Sequence, residues 1–199
     1  MAYATAAQVK TYLDISGSGD DTLIGDLIDR AQQMIDNEFG GIVFEASTNT
    51  ERTFDSSRDT EGGMLYLDYP LASINSITNG DADVLTSTEY TTEPRNRAPY
   101  YAIKLLPSSG LYWQADATTG DAEDAITISG KWAWSASADS DIEHMCIRLA
   151  SYLYRQRDNA ADFDRAVIAG NATILPGQMP RDIQQLVKQH PAWFWNASR

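Results

Sequence analysis

The sequence is short of several things, and each shortage narrows what the protein does. Its 199 residues include one cysteine, Cys146, so no internal disulfide forms and nothing points to an oxidising compartment. Basic side chains are scarce: 15 Lys+Arg face 28 Asp+Glu, a formal net charge of −13. Proteins that wrap nucleic acid displace counterions from phosphates with Lys and Arg, and docking on an anionic membrane needs the same charges. The balance argues against both. No apolar run approaches the roughly 20 residues of a membrane-spanning helix. Met1-Ala2-Tyr3-Ala4 lacks the basic and apolar regions of a signal peptide. With 43% hydrophobic and 22% charged residues, the expectation is a soluble globular protein made and kept in a cytoplasm.

What is present divides into three stretches. The first is helical. Thr5-Ala6-Ala7-Gln8 fits a capping box, and Val9, Tyr12 and Leu13 share a face of the short helix that follows. Ser16-Gly17-Ser18-Gly19 breaks it, and Asp20 or Asp21 caps a longer helix. Leu23, Leu27, Ile28, Ala31, Met34 and Ile35 form its apolar stripe, and Gly40-Gly41 ends it.

From Ile42 to Ala138 the hydrophobic period shortens to two. Met64 to Tyr69 reads as a strand stopped by Pro70, and Ser73 to Thr78 as the next, followed by the hairpin signal Asn79-Gly80. Tyr100 to Leu105 and Ala125 to Gly130 add two more, with Trp132 and Trp134 continuing one face. A small antiparallel β lobe of five or six strands is expected. The chain then returns to helix, with Asp139 or Ser140 as cap and Ile142, Met145, Cys146, Leu149, Ala150 and Leu153 as stripe. A short helix is expected around Asp162 to Ile168, and Pro180 opens a final one carrying Ile183, Leu186 and Val187, stopped by Pro191. The fold class is α+β: a small helical core, with two long amphipathic helices and shorter ones, and an inserted antiparallel β lobe. In boundaries, residues 1–41 and 139–175 form the helical core, 42–138 the β lobe, and 176–199 a C-terminal docking segment.

Catalytic patterns are missing. There is no G-x-S-x-G elbow, Walker loop or G-x-G-x-x-G, and neither His144 nor His190 has a pairing motif around it. Cys146 falls on the buried side of its helix, as a small core hydrophobe does. Asp81 with Asp83, and Asp121 with Glu123 and Asp124, miss the spacing of a calcium loop and read as solvated turn acids. A carboxylate pair such as Asp55 with Asp59 could in principle serve a glycosidase, but only a spatial separation tests that. No enzyme, metal or cofactor is expected.

Charge is unevenly spread. Residues 1–41 carry 2 basic and 7 acidic side chains, 42–138 carry 6 and 14, and 139–199 carry 7 of each. In the last stretch Arg148, Arg155, Arg157 and Arg165 are either helix-surface charges or forks facing a partner's carboxylates. Pro191-Ala192-Trp193-Phe194-Trp195 places three large aromatics near a chain end. They either fold onto the protein's own core or anchor a protein partner, since aromatics dominate interface hot spots.

This order of features resembles the head–tail connector (adaptor, or head-completion) proteins of tailed bacteriophages. Tyr3 to Leu13 is similar to that family's short first helix, and Asp20 through Gly40 to its long second helix. Trp132-Ala133-Trp134-Ser135 with the helix from Asp141 through Tyr154 resembles the third, and Leu175-Pro176 with the helix from Pro180 the C-terminal segment. The resemblance implies a virion structural protein without chemistry, located in the neck at the head–tail interface and made in the host bacterial cytoplasm. It implies a homo-oligomeric ring, commonly of twelve copies, below the portal protein. Such a ring extends the DNA channel, lets DNA pass without specific binding, and offers a platform to a tail or head-completion protein on the distal side. The C-terminal segment would dock on the portal through Pro180, Ile183, Leu186, Val187, Trp193, Phe194 and Trp195. Leu23, Leu27, Ala31, Met34, Ile142, Met145, Leu149 and Leu153 would form the subunit-core helices. The alternative is a β-rich carbohydrate-binding or other binding module of a phage tail, with Tyr100, Tyr101, Tyr112 and Trp113 as stacking rings.

Overall fold

A computed structural model of the chain describes residues 2–156, 167–169, 172–174 and 179–194. The polypeptide separates into two compact units, one of residues 42–138 and one of residues 2–41 with 139–199. Among the described residues no helix is long and apolar enough to cross a membrane.

The helical unit begins with α1 (Ala6–Leu13), closed by the expected box: Gln8 N–H donates to Thr5 Oγ1, and Thr5 N–H to Gln8 Oε1 at 2.7 Å. The helix ends before the Ser-Gly run is reached, capped by Asp14 in the left-handed region with φ 56°. Of its expected apolar face only Val9 is buried; Tyr12 is exposed. α2 (Asp21–Glu38) packs on α3 (Ser140–Gln156), and α1 lies against both. The buried stripe of α2 is Ile24, Leu27, Ile28, Ala31 and Ile35. Leu23 and Met34, expected in it, are half-buried, because the interface is centred one position further round the helix. The stripe of α3 is buried as expected from Ile142 to Ala150, but at the last turn Tyr154 takes the inner position and Leu153 is half-buried. Tyr154 Oη donates to Asp20 Oδ2 at 2.5 Å, so the residue expected to cap α2 serves a tertiary bond instead. Strands β8 (Val167–Ala169) and β9 (Ala172–Ile174) form an antiparallel hairpin. The helix expected to reach Ile168 is therefore a strand there, and residues 162–166 lie outside the described residues. α4 (Arg181–Gln189) follows Pro180 and leads into a 3-10 turn, Pro191–Phe194.

The β unit has seven strands in two antiparallel sheets, more than the five or six expected. β1 (Thr50–Phe54), β7 (Ile126–Lys131) and β4 (Ser73–Thr78) form one, in the order β1-β7-β4. β2 (Thr60–Glu61), β3 (Met64–Leu71), β6 (Tyr100–Leu105) and β5 (Tyr90–Glu93) form the other, in the order β2-β3-β6-β5. The chain passes from one sheet to the other at Ala72, between β3 and β4. Inward residues of both sheets share one core: Phe54, Leu65, Leu67, Leu71, Ile77, Ile103, Leu105, Ile126 and Ile128 are all buried. Each such side chain contributes about 1.5–3 kcal/mol relative to exposure.

Two local expectations fail for identifiable reasons. Pro70 lies inside β3 and does not end it, because the β3–β6 register shifts between Tyr66 and Leu71 and no ladder donor is required there. Trp132 and Trp134 lie beyond the end of β7 and do not share a strand face. Trp132 Nε1 donates to the Thr50 carbonyl at 3.0 Å and its ring packs on Phe54, whereas Trp134 tilts on Phe44. The Arg52 guanidinium lies 4.4 Å from the Tyr69 ring centroid and 5.1 Å from that of Trp132, while pairing with Asp68.

Candidate assembly surface

The residues singled out for chemistry are engaged in structure. Asp55 and Asp59 both pair with Arg58, and Asp59 Oδ2 accepts from Asp55 N–H at 2.9 Å, so these two carboxylates staple a loop together. Asp81 accepts from Asp83 N–H and from Gln114 Nε2. Among the described residues no group of His, Cys, Asp and Glu is arranged to hold a metal. Burial pushes the Cys146 thiol up to about 12, so at neutral pH it is a protonated, inert core group. His144 is exposed on α3.

His190 is the surprise. It is buried, and its Nε2 lies 3.0 Å from Asp139 Oδ2. Ala192 N–H donates to Nδ1 at 3.2 Å, which assigns the proton to Nε2 and makes that nitrogen the donor to Asp139. The other Asp139 oxygen accepts Ile142 N–H at 3.1 Å, capping α3. The His190 ring also meets Phe39 edge-on, with centroids 5.4 Å apart. This histidine–carboxylate pair clasps the end of α4 to the start of α3. The two residues are 51 positions apart, so no local motif announces it.

A second carboxyl is poised differently. Asp36 on α2 is held up at about 6 by burial, against the opposing hydrogen bond from Tyr3 Oη at 2.7 Å. Its folded value exceeds its unfolded value of 3.8, so the folded state binds more protons between these limits, and stability falls as pH rises through that window. We expect Asp36→Asn to be more stable than the parent at pH 7.5 by about 1 kcal/mol, after allowance for solvent screening, and no more stable at pH 3.5. Urea melts at both pH values measure this; equal gains at both would contradict the assignment.

The described C-terminal residues expected to dock on a partner differ in exposure. Ile183 and Val187 are buried within the helical unit, because α4 turns its apolar stripe inward. Pro180 and Leu186 are half-buried, and Trp193 is exposed. The Phe194 side chain and Trp195 lie outside the described residues, as do Arg157 and Arg165. Among the described side chains of the 3-10 turn Ala192 is deeply buried, and the Trp193 ring is at the surface. Of the proposed sugar-stacking rings, Trp113 is buried with Nε1 donating to the Gly63 carbonyl, and Tyr100 packs against the β core. Tyr101 and Tyr112 remain exposed.

Among the described residues of the helical unit, two concave surfaces lie on either side of Tyr12. A groove of about 370 Å³ between α1 and α3 is lined by Ala7, Thr11, Tyr12, His144 and Ile147, with Gln8 hydrogen-bonded to Glu143 at its edge. A second cleft, of about 230 Å³, is lined by Tyr12, Arg148, Ser151, Tyr152, Arg155 and Pro180. Arg148 donates to Tyr12 Oη at 2.8 Å and pairs with Asp182, which fixes the wall between them. The helical spacing of Tyr12 with Val9 and Leu13 gives no sign of this surface contact with Arg148.

A helical unit interrupted by a two-sheet antiparallel β unit is the class this chain falls into, and solved structures of that class exist. No family profile matches the chain, and no curated protein matches it. A chain in the neck of an empty gene transfer agent particle, computed with C6 symmetry, superposes with a TM-score of 0.53 at 15% identity, over 94% of this chain and 87% of that one. A chain of the virion of a native gene transfer agent particle gives 0.54 at 15% identity, over 92% and 87%. The chain thus has the fold of chains found in a virion neck, in agreement with the resemblance to head–tail connectors.

Proposed function

We propose that the chain is a structural protein of the neck of a phage-like particle, a head–tail connector that assembles as a ring below the portal and carries no chemistry. The observation that carries this is the likeness to a neck chain over 94% of the sequence, through both units and not through one shared module. The occupied state of the polar groups agrees with it. The carboxylates and the buried histidine that a catalytic site would use are tied into loops and caps.

The ring's charge follows from composition. The β unit carries 14 acidic and 6 basic side chains, and repetition around a ring multiplies that field. A channel wall drawn from it repels phosphates and lets DNA slide without sticking. Trp193, exposed beside a buried Ala192, is the aromatic anchor offered to the portal.

Native mass spectrometry of the chain mixed with the portal ring from the same genome tests this. A discrete complex with a fixed number of copies per portal ring is expected, and Trp193→Ala is expected to weaken it at least tenfold. A chain that stays monomeric in that mixture would remove the connector assignment.

A further inference from the structure

The cleft between α3 and Pro180 is built unlike the rest of this acidic surface. Ser151 lies on its floor, only 2% exposed, and its hydroxyl has no hydrogen-bond partner among the described residues. A buried hydroxyl left without a partner costs roughly 1–3 kcal/mol. A helical serine has an alternative in the carbonyl four residues back, and this one does not use it. Arg155 stands exposed at the rim and makes no ion pair or hydrogen bond to any described residue. Arg148, across the cleft, is already neutralised by Asp182 and aligned by Tyr12. Among the described residues the cleft therefore presents one guanidinium without a counter-charge, a spare serine hydroxyl and the Tyr152 ring around about 230 Å³. Counted over its described lining, with Arg148 paired to Asp182, Arg155 leaves one positive charge.

We propose that this cleft is a carboxylate-recognition site that takes an aspartate or glutamate side chain from a second copy of the chain. A carboxylate accepts up to four hydrogen bonds and carries the one negative charge the cleft lacks, and a guanidinium fork matches its plane. The charge distribution selects the occupant. The helical segment bearing the cleft is neutral over residues 139–199, whereas the β unit has eight more acids than bases, several of them exposed in turns, such as Asp83, Asp121 and Glu123. Two different patches, one basic and one acidic, define a head-to-tail contact, which closes into a ring when the rotation permits. This inference rests on the ring assembly proposed above and adds to it the chemistry of the joint between neighbours. Nucleic acid is the weaker occupant, since Arg155 at the rim of one cleft, on a chain of net charge −13, makes a poor phosphate track.

The test uses the full chain. In Arg155→Lys protein, made half in ¹⁴N and half in ¹⁵N and mixed, a zero-length carbodiimide joins the introduced amine to any carboxylate it touches. Mixed-isotope cross-links from position 155 to an acidic residue of the β unit are expected. Arg155→Glu, a change at an exposed side chain, is expected to weaken self-association at least tenfold by analytical ultracentrifugation, and Arg155→Lys much less. Cross-links confined to one isotope, or none in an oligomeric sample, would overturn the proposal. So would rings that form unchanged with Arg155→Glu, which leaves the ring assembly itself standing. A variant that loses only retention on DNA at low salt would assign the cleft to phosphate instead. A parent chain that is monomeric at every concentration, alone and with the portal, would overturn both the assembly and this joint.

Discussion

Replacing Gly80 by alanine is expected to destabilise the β unit by about 3 kcal/mol, at the upper end of what overpacking costs. For a unit of this size that lowers its melting temperature by on the order of 15 °C. Asn79-Gly80 carries the sequence signature of a two-residue hairpin, but the strand after it is reduced to a bridge between Thr78 and Val84. The turn's main work is to receive the segment around Gln114. The buried Asn79 side chain donates from Nδ2 to the Tyr112 carbonyl at 3.0 Å and accepts Gln114 N–H at 3.2 Å. Gly80 O accepts Ala117 N–H at 2.8 Å. A Cβ on Gly80 would stand 2.2 Å from the Gln114 carbonyl oxygen and 2.4 Å from that of Ala115. Both obstacles are backbone, so the loop must leave or the turn must distort. Gly25→Ala is the control: its Cβ meets nothing within 4 Å on α2, and helix propensity alone should raise stability by about 0.5–1 kcal/mol. Equal melting temperatures for the parent and Gly80→Ala would show that the close approach is not maintained in solution.

The second large effect is expected at Asp139. Alanine there removes the cap of α3, worth about 1 kcal/mol, and strands the buried Nε2–H of His190, worth about 1–3 kcal/mol more. A loss of about 3 kcal/mol from the helical unit should appear in urea titrations near pH 7. The effect depends on pH in a defined sense. The hydrogen bond from His190 is the main reason that the Asp139 carboxyl is held below its ordinary value of 3.8. A lowered folded value contributes stability that is complete above the unfolded pKa and is lost as pH falls through the folded one. The gap between parent and Asp139→Ala should therefore be constant across neutral pH and narrow only below about pH 4. His190→Ala combined with Asp139→Ala should cost clearly less than the two single changes added together. Strict additivity would mean that the two side chains do not act as a pair.

Periodicity carried much of the architecture. The stripes of α2 and α3, the box at Thr5 and Gln8, and the strands Ser73–Thr78 and Tyr100–Leu105 are local patterns, set by residues within one or two turns or within one strand. What spacing leaves open has a common cause. Tyr12 shares a helical face with Val9 and Leu13 by spacing, but it is exposed and its hydroxyl meets Arg148, 136 positions away. Ile183 and Val187 lie on an apolar stripe that would suit a partner, and in the folded chain both are buried within the helical unit. Amphipathic spacing gives the direction of an apolar face within its helix; it does not name the neighbour that covers it.

The sequence by itself determined the alternation of helical and β segments, the acidic character, and the want of any catalytic or metal-binding pattern. These are properties of composition and short-range order, and burial of one stripe or one strand face follows from them wherever the segment lands. Tertiary structure alone decided which polar groups are spent and which are spare. The clasp of His190 on Asp139, the seat of Gln114 on Asn79-Gly80, and the cleft of Arg155 over Ser151 each depend on where a second segment of the backbone passes. The span of a hydrogen bond is about 3 Å, and no spacing along the chain records which distant groups come within it.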